Sequence, residues 1–199
     1  MSAWIILAVL FALGLALVVW AVGVYNGLVA LRNRYKNAYS QIDVQLTRRY
    51  DLIPNLVETV KGYMAHEHGT LEDVVKARSA AVAAQTRAAH EPGEPGAMHG
   101  LLAADAGLTG ALGRLMVLSE SYPQLKADAN VKTLTDELSG TENRIAFARQ
   151  AYNDMVMAYN TAREQVPGNV VAGFGNFTAA ALWEAENPAA IRQAPVVKF

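Results

Sequence analysis

The sequence predicts an all-α protein, in which an N-terminal transmembrane helix continues into antiparallel helices that share an apolar seam. Three observations carry that expectation. From Met1 to Leu31 there is no Asp, Glu, Lys or Arg. Beyond this opening, apolar residues recur at steps of three and four in long runs separated by Pro and Gly, the spacing of a helix face. No stretch alternates with period two for long enough to make a strand.

The first element is the anchor. Ala3 to Tyr25 is almost wholly apolar. At about 1.5 Å rise per residue such a helix covers roughly 34 Å, enough for a hydrocarbon core of about 30 Å. Trp4 lies near one end and Trp20 and Tyr25 near the other, where amphipathic rings suit the headgroup level. A cleaved secretory signal fits poorly, because no Lys or Arg precedes the apolar run and Ala21-Val22-Gly23 is its only cleavage-like triplet. The segment is therefore read as retained. Arg32, Arg34 and Lys36 follow it closely. The positive-inside bias then places the body in the cytoplasm and the amino terminus outside, as a single-pass protein of the cell (inner) membrane. The chain divides into an anchor (1–25), a helical bundle domain (26–167) and an apolar, Gly- and Pro-containing tail (168–199).

Composition narrows the function. A net charge of -1 and a pI near 6.4 give no basic footprint, so nucleic acid is not an expected partner. The absence of Cys removes disulfides and thiolate chemistry. The chain beyond the anchor is long enough for one domain with a real core.

The second run, Tyr35, Tyr39, Ile42, Leu46, Tyr50, Ile53, Val57, Val60 and Met64, has helical spacing and continues through Leu71, Val74 and Arg78 to about residue 88. Pro54 objects to it, since it lacks the N–H of an interior helix position. The expectation is a tight turn or strong kink at Asp51 to Pro54. A bent continuous helix is the alternative, because the apolar phase does not slip there. Glu91-Pro92-Gly93-Glu94-Pro95-Gly96 reads as a loop. Leu108, Leu112, Leu115, Leu118, Tyr122 and Leu125 mark a third helix, interrupted at its far end by Pro123. The strongest pattern runs from Val131 through Leu138, Ile145, Tyr152 and Tyr159 to Val166, and stops at Pro167-Gly168. The tail from Asn169 through Phe174, Phe177 and Trp183 is apolar without helical spacing throughout. It has three candidate fates: folding back on the bundle, lying in the membrane interface, or meeting another subunit. Pro188 and Pro195 mark a last segment ordered only where it docks.

Several blocks together resemble the LemA family. They are Tyr25-Asn26-Gly27-Leu28-Val29, Asn37 to Leu46, Arg48-Arg49-Tyr50-Asp51-Leu52-Ile53-Pro54 to Tyr63, Leu112-Gly113-Arg114-Leu115, Ser121-Tyr122-Pro123, Glu142-Asn143-Arg144-Ile145 and Ala151-Tyr152-Asn153. The resemblance covers nearly the whole chain. It implies a single-span anchor, a four-helix up-and-down domain, and a family without an established enzymatic activity or cofactor. Gly69 departs from the pattern, where a better helix former is expected.

Chemistry is sparse. His66, Glu67 and His68 contain metal-binding types, but ligands on a helix cooperate at i and i+4, as in H-E-x-x-H, and neighbours two apart diverge. His90 and His99 flank the Pro-Gly loop. Arg48 and Arg49 near Asp51, and Glu142 with Arg144 and Arg149, form a candidate charged cluster between helices. Inward polar groups that fix register are the simpler reading, with Gln41, Asp43, Gln45 and Asn143 in the same role. No catalytic, cofactor-binding or metal-binding residue is assigned. Tyr25-Asn26, Tyr152-Asn153 and Tyr159-Asn160 repeat a ring beside an amide, as core tyrosines with satisfied hydroxyls or as a surface for a partner helix.

The functional expectation is a non-enzymatic, membrane-anchored helical scaffold. Its partners are the lipid bilayer and either a second copy or other membrane-associated proteins. The alternative is a lipid-headgroup-binding module or an enzyme using Arg48, Arg49, Asp51, Glu142 and Arg144, since Arg forks suit phosphate.

Overall fold

A computed structural model describes residues 2–64 and 66–184, and all regular structure among them is helical. Helix α1 runs from Ser2 to Lys61, 60 residues without a break, a rod of about 90 Å. Helices α2 (His68–His90), α3 (Pro95–Ser119), α4 (Pro123–Ala127), α5 (Ala129–Glu164) and α6 (Gly168–Phe174) follow. The outer part of α1 differs from the rest. Residues 3–20 are exposed throughout, with a mean hydropathy of 3.0 over their most apolar window. From Leu28 onward one stripe is buried, including Tyr35, Tyr39, Ile42, Leu46, Ile53, Leu56 and Val60. Each such side chain contributes about 1.5–3 kcal/mol on leaving water.

The helix break expected at Asp51 to Pro54 is not there. Helix α1 continues through Pro54, and the break comes later, after Lys61 and before α2 begins at His68. Proline deprives the Tyr50 carbonyl of its helical donor. The structure supplies another: Arg78 Nε, from α2, donates to Tyr50 O at 2.6 Å. At the actual break, Tyr63 N and Met64 N both donate to Val60 O at 3.0 Å, and Met64 is fully buried. Gly69 falls inside the first turn of α2, past that break.

The third helix also starts earlier than the apolar spacing predicts, at Pro95 and not near Leu108. The second Pro-Gly pair is a helix start and not a continuation of the loop. Pro95 stands in the first turn, where its missing N–H costs nothing. Glu94 accepts from Gly96 N and Ala97 N, and these two bonds hold its carboxyl below the usual range. Asp128 caps α5 in the same way, accepting from Asn130 N at 2.7 Å and Val131 N at 3.1 Å. Its other oxygen takes the Tyr63 hydroxyl at 2.7 Å, which ties the far end of α1 to the start of α5.

Helix α1 packs most extensively on α5, and α2 on α3, with α1 also against α2 and α6. Helix α3 is itself long and apolar, with a mean hydropathy of 1.5. It buries Met98, Leu101, Leu108, Ala111, Leu112 and Leu115 within the helical body. After α6 the chain runs extended, and Phe177, Ala180 and Trp183 are buried. Of the three fates open to the tail, these residues take the first and fold back on the helices. Pro188 and Pro195 lie outside the described residues. Two glycines make the return feasible. A Cβ at Gly168 would stand 1.9 Å from Ala162 O, and Gly93 has φ +89° with the Tyr35 ring and Ala180 Cβ about it.

Candidate functional site

Two polar constructions stand out from the apolar packing. The first is centred on Arg49, which is 1% exposed. Its Nη1 donates to Asp105 Oδ1 and its Nη2 to Thr109 Oγ1 at 2.8 Å, both on α3. Its Nε lies 2.7 Å from Glu142 Oε1 on α5, close enough for an ion pair but misaligned for a hydrogen bond. One guanidinium thus joins three helices and faces two carboxylates. Burial pushes the Asp105 carboxyl up, against the pull of Arg49 and Arg149. Burial also raises Glu142; Arg49 opposes the rise and Asp105 adds to it.

Of the cluster expected from sequence, the structure brings Arg49 and Glu142 together, with Arg149 near enough to act on Asp105, and places Arg48, Arg144 and Asp51 outside the node. Arg48 is exposed, 4.0 Å from Glu137. Arg144 is exposed beside Arg48 in an open cleft of 360 Å³ that also holds Asp136 and Glu137. Asp51 is exposed in a second cleft, of 410 Å³, lined by Asp43, Thr47, Tyr50, Arg78 and Gln85 among others. Here the Gln85 amide nitrogen reaches Asp43 Oδ1 at 2.8 Å and Thr47 Oγ1 at 2.9 Å. Gln41 and Asn143 are exposed, so neither is an inward register group. His66 and Glu67 sit in the turn before α2 and His68 at its first residue, not together on a helix face. Glu67 accepts from the Tyr122 hydroxyl at 3.3 Å.

Asp105 and Thr109 complete the Arg49 node, and sequence reasoning missed both. A signal existed for Asp105. It interrupts the apolar series Leu101, Leu108, Leu112 at a position where the seam repeats.

The second construction holds the returning tail. Asn160 Oδ1 accepts from Ala180 N at 3.0 Å while its Nδ2 donates to Ala180 O at 2.8 Å. Asn153 repeats the arrangement on Trp183, with Oδ1 accepting at 2.9 Å and Nδ2 donating over a longer 3.4 Å. Each amide side chain therefore presents an acceptor and a donor to one extended residue, as a neighbouring strand would. The tyrosines beside them do the same work. Tyr159 Oη donates to Thr178 O and Tyr152 Oη to Ala181 O, both at 2.8 Å. Ala181 N donates to Gly93 O at 2.8 Å, which links the strap to the turn between α2 and α3. The Tyr-Asn pairs on α5 thus combine a satisfied core hydroxyl with an amide clamp for the chain's own tail. Tyr25 works through its ring alone, edge-on to Phe177 at 5.2 Å. Arg32 lies over the same Phe177 ring at 5.0 Å.

The model of the LemA family matches residues 38–199. The chain belongs to the LemA family. The match starts inside α1, beyond the apolar span, and takes in both the Arg49 node and the clamped strap. Among curated relatives, magnetosome protein MamQ of Magnetospirillum gryphiswaldense is 29% identical over 168 residues, covering 77% of this chain and 62% of its own length. Magnetosome proteins MamQ 1 and MamQ 2 of Paramagnetospirillum magneticum are each 29% identical over 180 residues, covering 83% of this chain and 66% of theirs. This LemA-family chain thus spans less than two thirds of each of those relatives.

Proposed function

We propose that this LemA-family protein is a non-enzymatic, membrane-anchored scaffold. It presents an antiparallel, up-and-down four-helix bundle on the cytoplasmic face of the cell (inner) membrane and associates there with further copies or other membrane proteins. One observation carries the proposal most. Helix α1 is a single element from the apolar span to the far end of the domain, so no linker separates anchor from body and the membrane sets the body's height. That suits a surface that must meet a neighbour in the same bilayer, because confinement raises effective concentration.

The finer points have their own support. Pairings of Tyr35 with Tyr159, Arg49 with Glu142 and Tyr63 with Asp128 run in opposite chain directions, as an antiparallel α1 and α5 require. Arg32, Arg34 and Lys36 favour the cytoplasmic side. The Arg49 guanidinium is consumed by Asp105, Thr109 and Glu142, and Arg48 and Arg144 share their cleft with Asp136 and Glu137, which weighs against the lipid-headgroup alternative. The relatives are named for the structure they belong to and not for a reaction.

Chemical cross-linking in membranes, followed by mass measurement of the detergent-solubilised full chain, tests the scaffold. A complex heavier than one chain is expected; a monomer without a co-purifying partner overturns it. Reporters fused at each end test orientation, and a cytoplasmic signal from the amino terminus reverses it.

A further inference from the structure

Helix α6 and the residues before it carry a second apolar surface that the helical body leaves uncovered. Gly168 and Ala172 face inward and are buried. Val166, Val170 and Phe174 are 80%, 57% and 90% exposed. An exposed apolar residue alone means little, and Phe147 on α5 is a case in point at 78%. The level of α6 is what distinguishes it. Between residues 3 and 25 only Ala21 and Val24 are partly covered, and α6 packs against α1. A Cβ on Gly175, the residue after α6, would lie 3.1 Å from the Tyr25 ring. Phe177 meets the same ring. Tyr25 ends the apolar span, so α6 stands where the hydrocarbon of the bilayer gives way to headgroups.

The composition of the segment fits that level. Between Gln165 and Trp183 there is no charged residue, while Arg32 and Arg34 lie farther along α1, towards the body. A short apolar face with no charge, held flush with the end of a membrane span, has the bilayer surface as its neighbour. The strap clamped by Asn153 and Asn160 keeps it there.

We propose that the outer face of α6, with Val166, Val170 and Phe174, docks into the boundary between headgroups and acyl chains of the bilayer that α1 spans. The domain is then held to the membrane at two points, and two points fix its tilt where one helix alone would leave it free to lean. This inference rests on the membrane-anchored reading of α1.

The chain contains no Cys, so single cysteines can be placed without a background. Phe174→Cys and Val170→Cys, with Phe147→Cys and Leu10→Cys as controls, are labelled with an environment-sensitive nitrobenzoxadiazole. The full chain is then reconstituted in phosphatidylcholine and phosphatidylglycerol vesicles, with or without lipid carrying a nitroxide near the headgroup or along the acyl chain. At residues 174 and 170 the emission is expected to shift to the blue and to be mostly lost with the headgroup nitroxide. Leu10→Cys should lose its emission to the acyl-chain nitroxide, and Phe147→Cys to neither. Quenching of residue 174 by aqueous iodide to the same degree as residue 147, with residue 10 still lipid-quenched, overturns the docking and leaves the anchor standing. Protection of residue 174 that vanishes on diluting the protein in lipid overturns it as well, since a second copy then covers the face. Failure of lipid quenching at residue 10 overturns both readings.

Discussion

The middle of the domain and its membrane-proximal end face the same problem and solve it with opposite chemistry. In both places, polar groups are taken out of water between helices and must be satisfied. The middle uses one cation and two carboxylates, Arg49 with Asp105 and Glu142. The proximal end uses neutral amides, Asn153 and Asn160, each matched to the N–H and C=O of a single residue. A charged node is costly to break because what remains is a charge without a partner. An amide clamp is cheaper to break and releases only the segment it holds. The two regions therefore suit different tasks: the node sets how three helices meet, and the clamp keeps the tail in place.

The largest effect expected is at the node. Arg49→Met keeps the volume and leaves two acidic groups unpaired, at a cost of about 3 kcal/mol, the low end for a broken buried pair. The low end applies because the Glu142 side chain is 43% exposed and water screens it. Denaturant unfolding of the full chain in detergent measures this. Replacing all three members by apolar residues should recover most of the loss; no recovery would mean that the node contributes stability by itself and not only an avoided penalty.

Next is the clamp. Asn160→Ala removes two hydrogen bonds, about 2 kcal/mol in sum, and the effect should stay local. Hydrogen exchange at the amides of Ala180 and Ala181 should accelerate while exchange in α1 does not. Asn153→Ala, which loses its bonds to Trp183 N, Trp183 O and Glu184 Oε1, should release the Trp183 end in the same way. In a Trp4→Phe, Trp20→Phe background the emission of Trp183, now buried, should shift to the red. Global unfolding by Asn160→Ala would erase the distinction between the two regions.

How far these features were legible depends on particular residues. The apolar spacing located α5 well, because its seam repeats over many turns; it traced the seam of α1 but not where that helix ends. Arg49 and Glu142 were visible as candidates. Asp105, Arg78 and Gln85 were not, although each occupies a seam position: Asp105 in the Leu101, Leu108, Leu112 series, and Arg78 and Gln85 in the series Val74, Ala81, Ala88. A charged or amide residue at a seam position has a partner on another helix. One sequence cannot say which, because the pairing depends on how the helices are set against one another. The same gap produced the error at Pro54. Local rules are right that proline frees the carbonyl four residues back, but the donor that answers it comes from α2, 28 residues away. The strap was illegible for a related reason. Its extended residues carry no period of their own, and their hydrogen bonds go to asparagines whose role appears only once α5 is folded.

That donor gives the third prediction, intermediate in chemistry between node and clamp because a charged group there serves a neutral carbonyl. Arg78→Met should cost about 1.5 kcal/mol, the value of a hydrogen bond from a charged donor. In a Pro54→Ala background the new N–H can take Tyr50 O, so the same substitution should cost close to nothing. A double-mutant cycle by denaturant unfolding measures the difference. Equal costs in the two backgrounds would sever Arg78 from the tolerance of Pro54.

The smallest effect separates the regions by pH. Burial holds Asp105 and Glu142 above their ordinary range, so the folded state binds their protons before the unfolded chain does. Between the ordinary carboxylate value of about 4 and the raised one, folding is therefore favoured as pH falls, because the cost of burying an ionised carboxylate is removed. Asp128 and Glu94 act the other way. Their carboxyls are lowered by the hydrogen bonds they accept, and the stability they lend is present above the unfolded value and lost as pH falls through the folded one. Comparison with Asp105→Asn cancels that contribution, since both proteins retain the caps. The parent should gain on the variant as pH falls through the window of Asp105 and hold a constant difference above it. Asn160→Ala, which changes no titrating group, should keep the same difference from the parent across the whole range. If the Asp105→Asn curve instead ran parallel to the parent, Asp105 would have the same proton affinity folded and unfolded. The node would then be as indifferent to acid as the clamp, and the difference between the two regions would be one of strength alone.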